Sequence, residues 1–139
     1  MFTNKRTIRI EWGDCDPAGI VYFPRFFEFF NDATTALFEA VGLPKREMLS
    51  KYNIAGFAAV DVRGRFLKPL TFGDDCEIES SIRKWGRTSF DVEHRLTKHG
   101  ELAVEGFETR VWVGRDPDNP HGLKAQVIPK DLIERFEKK

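Results

Sequence analysis

The sequence contains little cysteine, no excess of either charge and no long apolar run. Its two cysteines, Cys15 and Cys76, stand apart, without the CxxC spacing of a zinc site or the density of a disulfide scaffold, so we expect two reduced thiols. Lys and Arg together number 22, and so do Asp and Glu. This balance provides no basic field for nucleic acid and no acidic tail. Any charged ligand must therefore be bound by local groups.

Signals for the membrane and for export are missing as well. No apolar run reaches the roughly 18 residues that a membrane span needs. The start, MFTNKRTIRIEW, lacks the continuous apolar core of a signal peptide. We therefore expect a cytoplasmic protein with neither a membrane nor a nucleic-acid partner. Without repeats or linkers, residues 1–139 are predicted to form one domain.

Phenylalanine, in contrast, is abundant, with 13 residues that indicate a large core or an apolar pocket. Many of them recur with a helical period after Pro24, which suits the first turn of a helix. Gly42 and Pro44 end this pattern. The wide apolar face predicts a helix that lies against a sheet. A short second helix is predicted over residues 45–52, and a terminal helix after Pro129.

The remainder of the chain alternates apolar and polar residues as strands do. The alternating sets are Ile8, Ile10 and Trp12; Val60, Val62, Gly64 and Phe66; Cys76, Ile78, Ser80 and Ile82; Phe90, Val92, His94 and Leu96; and Val111 and Val113. The segments PLTFGDD, KWGRTS and KHGE separate them as turns, and LKAQVI is a candidate edge strand. The order predicts an α+β fold in which a curled antiparallel sheet wraps one long central helix.

The segment GDCDPAG, residues 13–19, places Asp14 and Asp16 directly before the predicted helix. Taken alone, Asp16 before Pro17 is typical of a turn, because Asp accepts hydrogen bonds from its own backbone there. The same position would also bring a carboxylate near the free amides and positive dipole end of a helix, where developing negative charge is stabilised. The residues alone leave both readings open.

A resemblance to a known family bears on this choice. The segment EWGDCDPAGIVYFPRFFEFFNDA resembles the opening of the hot-dog-fold acyl-CoA thioesterases of the 4-hydroxybenzoyl-CoA thioesterase family, and GRFLKPLTFGDD and KWGRTSFDVEHRL are similar to later segments. The resemblance implies a hot-dog fold and hydrolysis of an acyl-CoA or aryl-CoA thioester. It implies Asp16 as the catalytic carboxylate and the backbone N–H of Phe23 as a donor to the thioester carbonyl. It also implies active sites between subunits of a homodimer or homotetramer.

Further residues become candidates for substrate binding through this resemblance. Arg83, Lys84 and Arg87 flank a predicted turn, where they are either solvated or bind the phosphates of coenzyme A. Asn31 on the central helix is a pocket residue, a solvated side chain or an intersubunit contact. Phe57 stands where the family varies its pocket lining, and an aromatic ring there suits an apolar or aryl acyl group.

Histidine positions separate the enzymes that share this fold. A hydratase of this fold resembles the thioesterases in shape but relies on a histidine paired with a carboxylate. His94, His99 and His121 fall outside the first loop and the early helix, which favours a thioesterase and leaves Cys15 without a base. We expect no metal and no cofactor, since coenzyme A is part of the substrate. An acyl carrier protein thioesterase and a non-catalytic acyl-CoA-binding module stay open as alternatives.

Overall fold

The fold is a six-stranded antiparallel sheet with three helices, seen in a computed structural model that describes residues 1–138, except for the side chains of residues 119–121. The strands are β1 (Thr3–Arg9), β2 (Gly56–Phe66), β3 (Asp75–Trp85), β4 (Ser89–Lys98), β5 (Glu101–Asp116) and β6 (Asn119–Ala125). The helices are α1 (Pro24–Ala40), α2 (Lys45–Tyr52) and α3 (Lys130–Glu137). The strand order is β1-β3-β4-β5-β2, with β6 also paired to β5. None of the helices within residues 1–138 is long and apolar enough to cross a membrane.

The α+β class and the curled antiparallel sheet are as predicted, but the helical part differs from a single long central helix. Helix α1 has 17 residues, and α2 and α3, with 8 residues each, pack beside it. Phe30 and Leu37 on the buried face of α1 are both 0% exposed. Full burial of such a side chain contributes about 1.5–3 kcal/mol relative to exposure, which holds α1 on the sheet.

The alternating segments form strands as predicted, except that β1 ends at Arg9, before Ile10 and Trp12, and the apolar side chains of β2 are exposed. Ile78 on β3 and Val92 on β4 are buried as the alternation predicts. On β2, however, Val60 and Val62 are 63% and 40% exposed. Strand β2 pairs only with β5 among the described residues, so its far edge is open. The apolar alternation on β2 therefore marks a surface that this protomer does not cover.

A buried polar network joins α1 to the three central strands. The Thr34 hydroxyl donates to Oε1 of Glu108 at 2.6 Å, and Nε of Arg110 donates to the same oxygen at 3.1 Å. Nδ1 of His94 lies 2.6 Å from the Ser80 hydroxyl, and Nε2 of His94 lies 3.2 Å from that of Thr34. Oε2 of Glu108, 3.5 Å from Nε2 of His94, is buried without a hydrogen bond in the described part of the chain. The network thus centres on one buried carboxylate.

The pKa of Glu108 lies below its ordinary value of 4.5. Burial alone would raise this pKa, but the His94 imidazole, the Arg110 guanidinium and the Thr34 hydroxyl together outweigh burial. A carboxyl whose pKa is lower in the folded protein stabilises the fold above its unfolded pKa. That stabilisation is lost as the pH falls through the folded pKa.

We therefore expect Glu108→Gln to lower the free energy of unfolding by roughly 3–5 kcal/mol near neutral pH, because the substitution leaves the Arg110 charge buried without its partner. The difference from the wild type should shrink as the pH falls below about 4.5. Urea unfolding between pH 3.5 and 7 measures this difference. Glu105→Gln, on the outward face of β5, is the matched control. A difference that does not vary with pH would contradict this role of the Glu108 charge.

Candidate active site

Residues 13–22 form a closed loop that leads directly into α1. The N–H of Asp16 donates to the Ile20 carbonyl at 3.0 Å, and the N–H of Tyr22 donates to the Asp14 carbonyl at 2.8 Å. Between these bonds, Cys15 and Val21 form an isolated antiparallel bridge. The loop therefore holds residues 14–16 on one arm and residues 20–22 on the other.

Asp16 occupies the tip of this loop. Its Oδ1 accepts a hydrogen bond from the Ala18 N–H at 2.8 Å, and its carbonyl accepts one from the Gly19 N–H at 2.9 Å. Gly19 has a φ of +86°, a left-handed conformation that favours glycine and closes the tip. The half-buried Asp16 side chain lines a cleft of about 460 Å³ that Trp12 and Phe72 also border. Asp16 is thus a turn residue whose second carboxylate oxygen has no partner among the described residues.

The N–H of Phe23 is a free donor that directly follows this loop along the chain. Phe23 is the residue that precedes α1, and Pro24 at the first helical position has no N–H. None of the described residues accepts a hydrogen bond from the Phe23 N–H. The positive end of the helix dipole lies at the same place. The geometry supplies an unpaired donor in an electropositive environment, one residue beyond the second arm of the loop.

Asp14, unlike Asp16, uses both carboxylate oxygens in contacts within the protein. Its Oδ2 accepts a hydrogen bond from the Glu11 N–H at 2.8 Å, and its Oδ1 lies 3.6 Å from Nε of Arg25. Arg25 also donates to the Gly13 carbonyl at 3.2 Å, which ties the loop to the first turn of α1. Asp14 therefore orders the loop and has both carboxylate oxygens engaged.

The three basic residues predicted to bind phosphate lie far from the loop within one protomer. Arg83 and Lys84 are near the end of β3, and Arg87 lies in the turn after it, all three exposed. The loop lies at the other end of β3, because Ile10, three residues before the loop, exchanges hydrogen bonds with Gly73 and Asp74 directly before β3. Eight residues of β3 separate Arg83 from Asp75, or roughly 26 Å. A single protomer therefore does not bring this cluster and Asp16 together.

Asn31 and Phe57 are brought together by a residue that the sequence analysis missed, Arg110. One terminal nitrogen of Arg110 donates to the side-chain oxygen of Asn31 at 2.9 Å, and the other donates to the Phe57 carbonyl at 3.3 Å. Asn31 is exposed, whereas the Phe57 ring is 4% exposed and stacks on Phe38 at a centroid distance of 4.9 Å. The predicted pocket residue Phe57 thus lies within the core of this protomer. The available signal for Arg110 was its place in the alternation of β5, two residues from Glu108 and two from Trp112.

The histidines lie away from the loop where the structure describes them. His94 is fully buried against Phe30, its ring stacked at 4.9 Å, and His99 sits in the turn between β4 and β5 with a φ of +51°. The side chain of His121 lies outside the described residues. Within the described chain, no group of three or more His, Cys, Asp or Glu side chains is arranged to hold a metal ion. The loop thus offers a carboxylate rather than an imidazole as its reactive group.

Comparison with known proteins gives the family. Residues 10–136 match the model of the thioesterase-like superfamily. The chain is 36% identical over 132 residues to 4-hydroxybenzoyl-CoA thioesterase from Pseudomonas sp. strain CBS-3, which covers 91% of this chain and 92% of that protein. It is 32% identical over 100 residues to a 1,4-dihydroxy-2-naphthoyl-CoA hydrolase from Synechococcus elongatus, with 72% and 73% covered.

Solved structures agree with this assignment. The structure of the Pseudomonas 4-hydroxybenzoyl-CoA thioesterase superposes with a TM-score of 0.87 at 32% identity, covering 96% of this chain and 98% of that one. A gentisyl-coenzyme A thioesterase superposes with a TM-score of 0.82 at 31% identity, covering 96% and 99%. The chain therefore belongs to the thioesterase-like superfamily with the hot-dog fold, and it is a thioester hydrolase.

Proposed function

We propose that this single domain hydrolyses the coenzyme A thioester of an aryl or acyl group, similar to 4-hydroxybenzoate, to the free acid and coenzyme A. The observation that carries the proposal is the closed loop, which holds the Asp16 carboxylate at its tip and delivers the chain to the unpaired N–H of Phe23 at the start of α1. The relatives named as CoA thioesterases and CoA hydrolases support the substrate class.

The proposed chemistry follows from these two groups. Attack on the thioester places negative charge on the carbonyl oxygen, and a preorganised donor such as the Phe23 N–H contributes about 2.7–4 kcal/mol to the transition state. The Asp16 carboxylate either attacks the carbonyl carbon to form a mixed anhydride or takes a proton from the attacking water. In the first route the C–S bond breaks as the anhydride forms, the coenzyme A thiolate takes a proton from water, and a water molecule then hydrolyses the anhydride to the free acid and the Asp16 carboxylate. In the second route water adds to the carbonyl carbon, the C–S bond breaks, and the proton held by Asp16 passes to the leaving thiolate. Neither route requires a metal ion or a cofactor.

The phosphates of coenzyme A are proposed to bind Arg83, Lys84 and Arg87 of a second copy of the chain. The distance along β3 between this cluster and the loop supports this arrangement. The uncovered β2 edge supports it as well, because Val60, Val62 and Phe66 are 63%, 40% and 49% exposed there. We therefore propose a homodimer or homotetramer with active sites between subunits, in the cytoplasm.

Two alternatives carry over from the sequence. An acyl carrier protein thioesterase would hydrolyse carrier-bound acyl groups in preference to coenzyme A esters. A non-catalytic acyl-CoA-binding module would bind such esters without releasing thiol. Release of free thiol from a panel of aliphatic and aromatic acyl-CoA esters separates both alternatives from the proposed enzyme.

Asp16→Asn should lower kcat at least about 10²-fold, the lower end of the contribution of general acid–base catalysis. The amide oxygen of Asn keeps the hydrogen bond from Ala18, so the loop keeps its shape while the charge is lost. Steady-state kinetics on the best acyl-CoA of the panel measures this effect. Asp14→Asn is the control and should reduce kcat far less. If both variants stay within a few-fold of the wild type, the loop is only a turn and the catalytic assignment fails.

Arg87→Ala should raise KM for coenzyme A esters more than it lowers kcat, because a phosphate contact remote from the carbonyl provides mostly uniform binding. The control substrate is the pantetheine thioester of the same acid, which lacks the 3′-phosphate. Its KM should change less than that of the coenzyme A ester. An equal loss on the two substrates would contradict a phosphate-binding role for Arg87.

Val60→Lys should dissociate the assembly, because it places a charge on the exposed apolar edge of β2 that a second copy is proposed to cover. Light scattering at micromolar concentration measures the mass, and activity should fall with it. Val127→Lys is the matched control, since Val127 is 58% exposed and lies outside the sheet. A wild-type monomer with full activity would refute the shared active site.

A further inference from the structure

Two cationic side chains contact the ring of Phe57, and one carboxamide contacts one of these cations. Nζ of Lys45 lies 4.5 Å from the ring centroid, and the guanidinium carbon of Arg110 lies 5.6 Å from it. Asn31 joins them through its hydrogen bond from Arg110 at 2.9 Å. These four residues, Lys45, Arg110, Asn31 and Phe57, are called the Phe57 cluster below. Stacking on Phe38 holds the Phe57 ring in place, and the ring in turn positions the two cations that contact it.

The hydrogen-bonding capacity left in the Phe57 cluster consists of donors. Because the side-chain oxygen of Asn31 accepts from Arg110, the NH₂ group of Asn31 is turned away from Arg110 on an exposed residue. Arg110 makes three side-chain hydrogen bonds, fewer than the five that a guanidinium can donate. Lys45 adds an ammonium group with no acceptor among the described residues. A ligand that complements this cluster must therefore supply acceptor atoms.

The charge of the Phe57 cluster is only partly balanced within the described chain. Arg110 is paired with Glu108, but Lys45 has no carboxylate within ion-pair distance. Burial and the neighbouring Arg110 charge both lower the pKa of Lys45, because the half-buried ammonium group has lost part of its water and lies near another cation. A half-buried positive charge without a partner costs free energy, and a bound anion offsets that cost.

The position of the Phe57 cluster relates it to the proposed reaction centre. Asn31 follows Phe23 by eight residues along α1, or about 12 Å along the helix axis, and helical side chains lean toward the N-terminus. Between the two lies an aromatic surface, where the rings of Phe27 and Phe66 are 6.4 Å apart. A hydrogen bond of about 3 Å at each end leaves roughly 6 Å for the acyl group, which is the length of an aryl ring or a short acyl chain.

We infer that the Phe57 cluster binds the far end of the acyl group, and that the preferred substrates carry a carboxylate or a similar anionic acceptor there. This inference rests on the proposed function, which places the thioester carbonyl at the Phe23 N–H. The phosphates of coenzyme A are excluded as the occupants, because the whole pantetheine arm separates them from the carbonyl. A neutral, purely apolar acyl end would leave the donors of the cluster without acceptors, which disfavours such substrates.

The test compares 4-carboxybenzoyl-CoA with benzoyl-CoA, two substrates that differ only in the group at the far end of the ring. The wild type should favour the carboxylate by at least about tenfold in kcat/KM, since hydrogen bonds to charged groups contribute about ten- to hundredfold in binding. Lys45→Gln and Asn31→Asp should each lower this ratio several-fold, Asn31→Asp the more because it adds a repelling charge. Lys51→Gln, in the same helix as Lys45 but on an exposed residue outside the cluster, should leave the ratio unchanged.

Two results would overturn the inference. One is a wild-type ratio at or below one. The other is a ratio that neither Lys45→Gln nor Asn31→Asp changes, which would show that the Phe57 cluster does not hold the anionic end of the substrate.

Failure of the proposed function itself is recognised separately, because then no coenzyme A ester of any kind is hydrolysed. In that case calorimetry with monomethyl terephthalate, with methyl benzoate as the neutral comparison, still tests the Phe57 cluster. Binding of the carboxylate that Lys45→Gln weakens supports the inference, and equal or absent binding of the two compounds refutes it.

Discussion

Helix α1 lies against β5 only because residue 106 has no side chain. A Cβ at Gly106 would lie 2.5–2.7 Å from ring atoms of Phe30, closer than real side-chain contacts allow. Gly106 pairs with Gly64 on β2 and with His94 on β4, so the ring of Phe30 sits at the centre of the sheet and stacks on the His94 imidazole. This close approach determines how near α1 lies to the sheet. The start of the helix, where the Phe23 N–H is free, and its exposed face, which carries Asn31, take their places from it.

The buried charges hold α1 in the position that the Phe30 contact allows. Glu108 and Arg110 point inward from β5, where Thr34 of α1 donates to the carboxylate and Asn31 of α1 accepts from the guanidinium. A sliding or rotation of the helix would leave these buried groups unpaired, at a cost of several kcal/mol. The same ion pair therefore restricts the helix on the sheet and holds the buried Arg110 guanidinium against the exposed Asn31. Stability and the proposed binding of the acyl end therefore depend on the same few side chains.

Much of this could be predicted from sequence, and the failures share a physical cause. The bounds of α2, the buried faces of β3 and β4 and the family followed from local patterns, and Asp16 and Phe23 lie within one short segment. Arg110 and Glu108 were missed because charged residues in a strand are normally assigned to solvent, and because the partner Asn31 is 79 residues from Arg110 along the chain. Only the register of β5 against its neighbours brings them together. Val60 and Val62 were expected to be buried within the protomer but are exposed. Apolar alternation indicates a covered face without showing which molecule covers it.

The same reasoning connects the edge strand with the divided site. In one protomer the Asp16 loop and the basic residues Arg83, Lys84 and Arg87 lie at opposite ends of β3, while the apolar face of β2 is left in water. A chain selected to act as a monomer would be expected to cover its own apolar strand and to place its cations beside Asp16. An exposed apolar edge otherwise promotes aggregation, and separated groups bind a ligand poorly. A second copy that covers β2 and supplies these cations would meet both requirements together. The open edge is then a part of the active site, and assembly and catalysis share one surface.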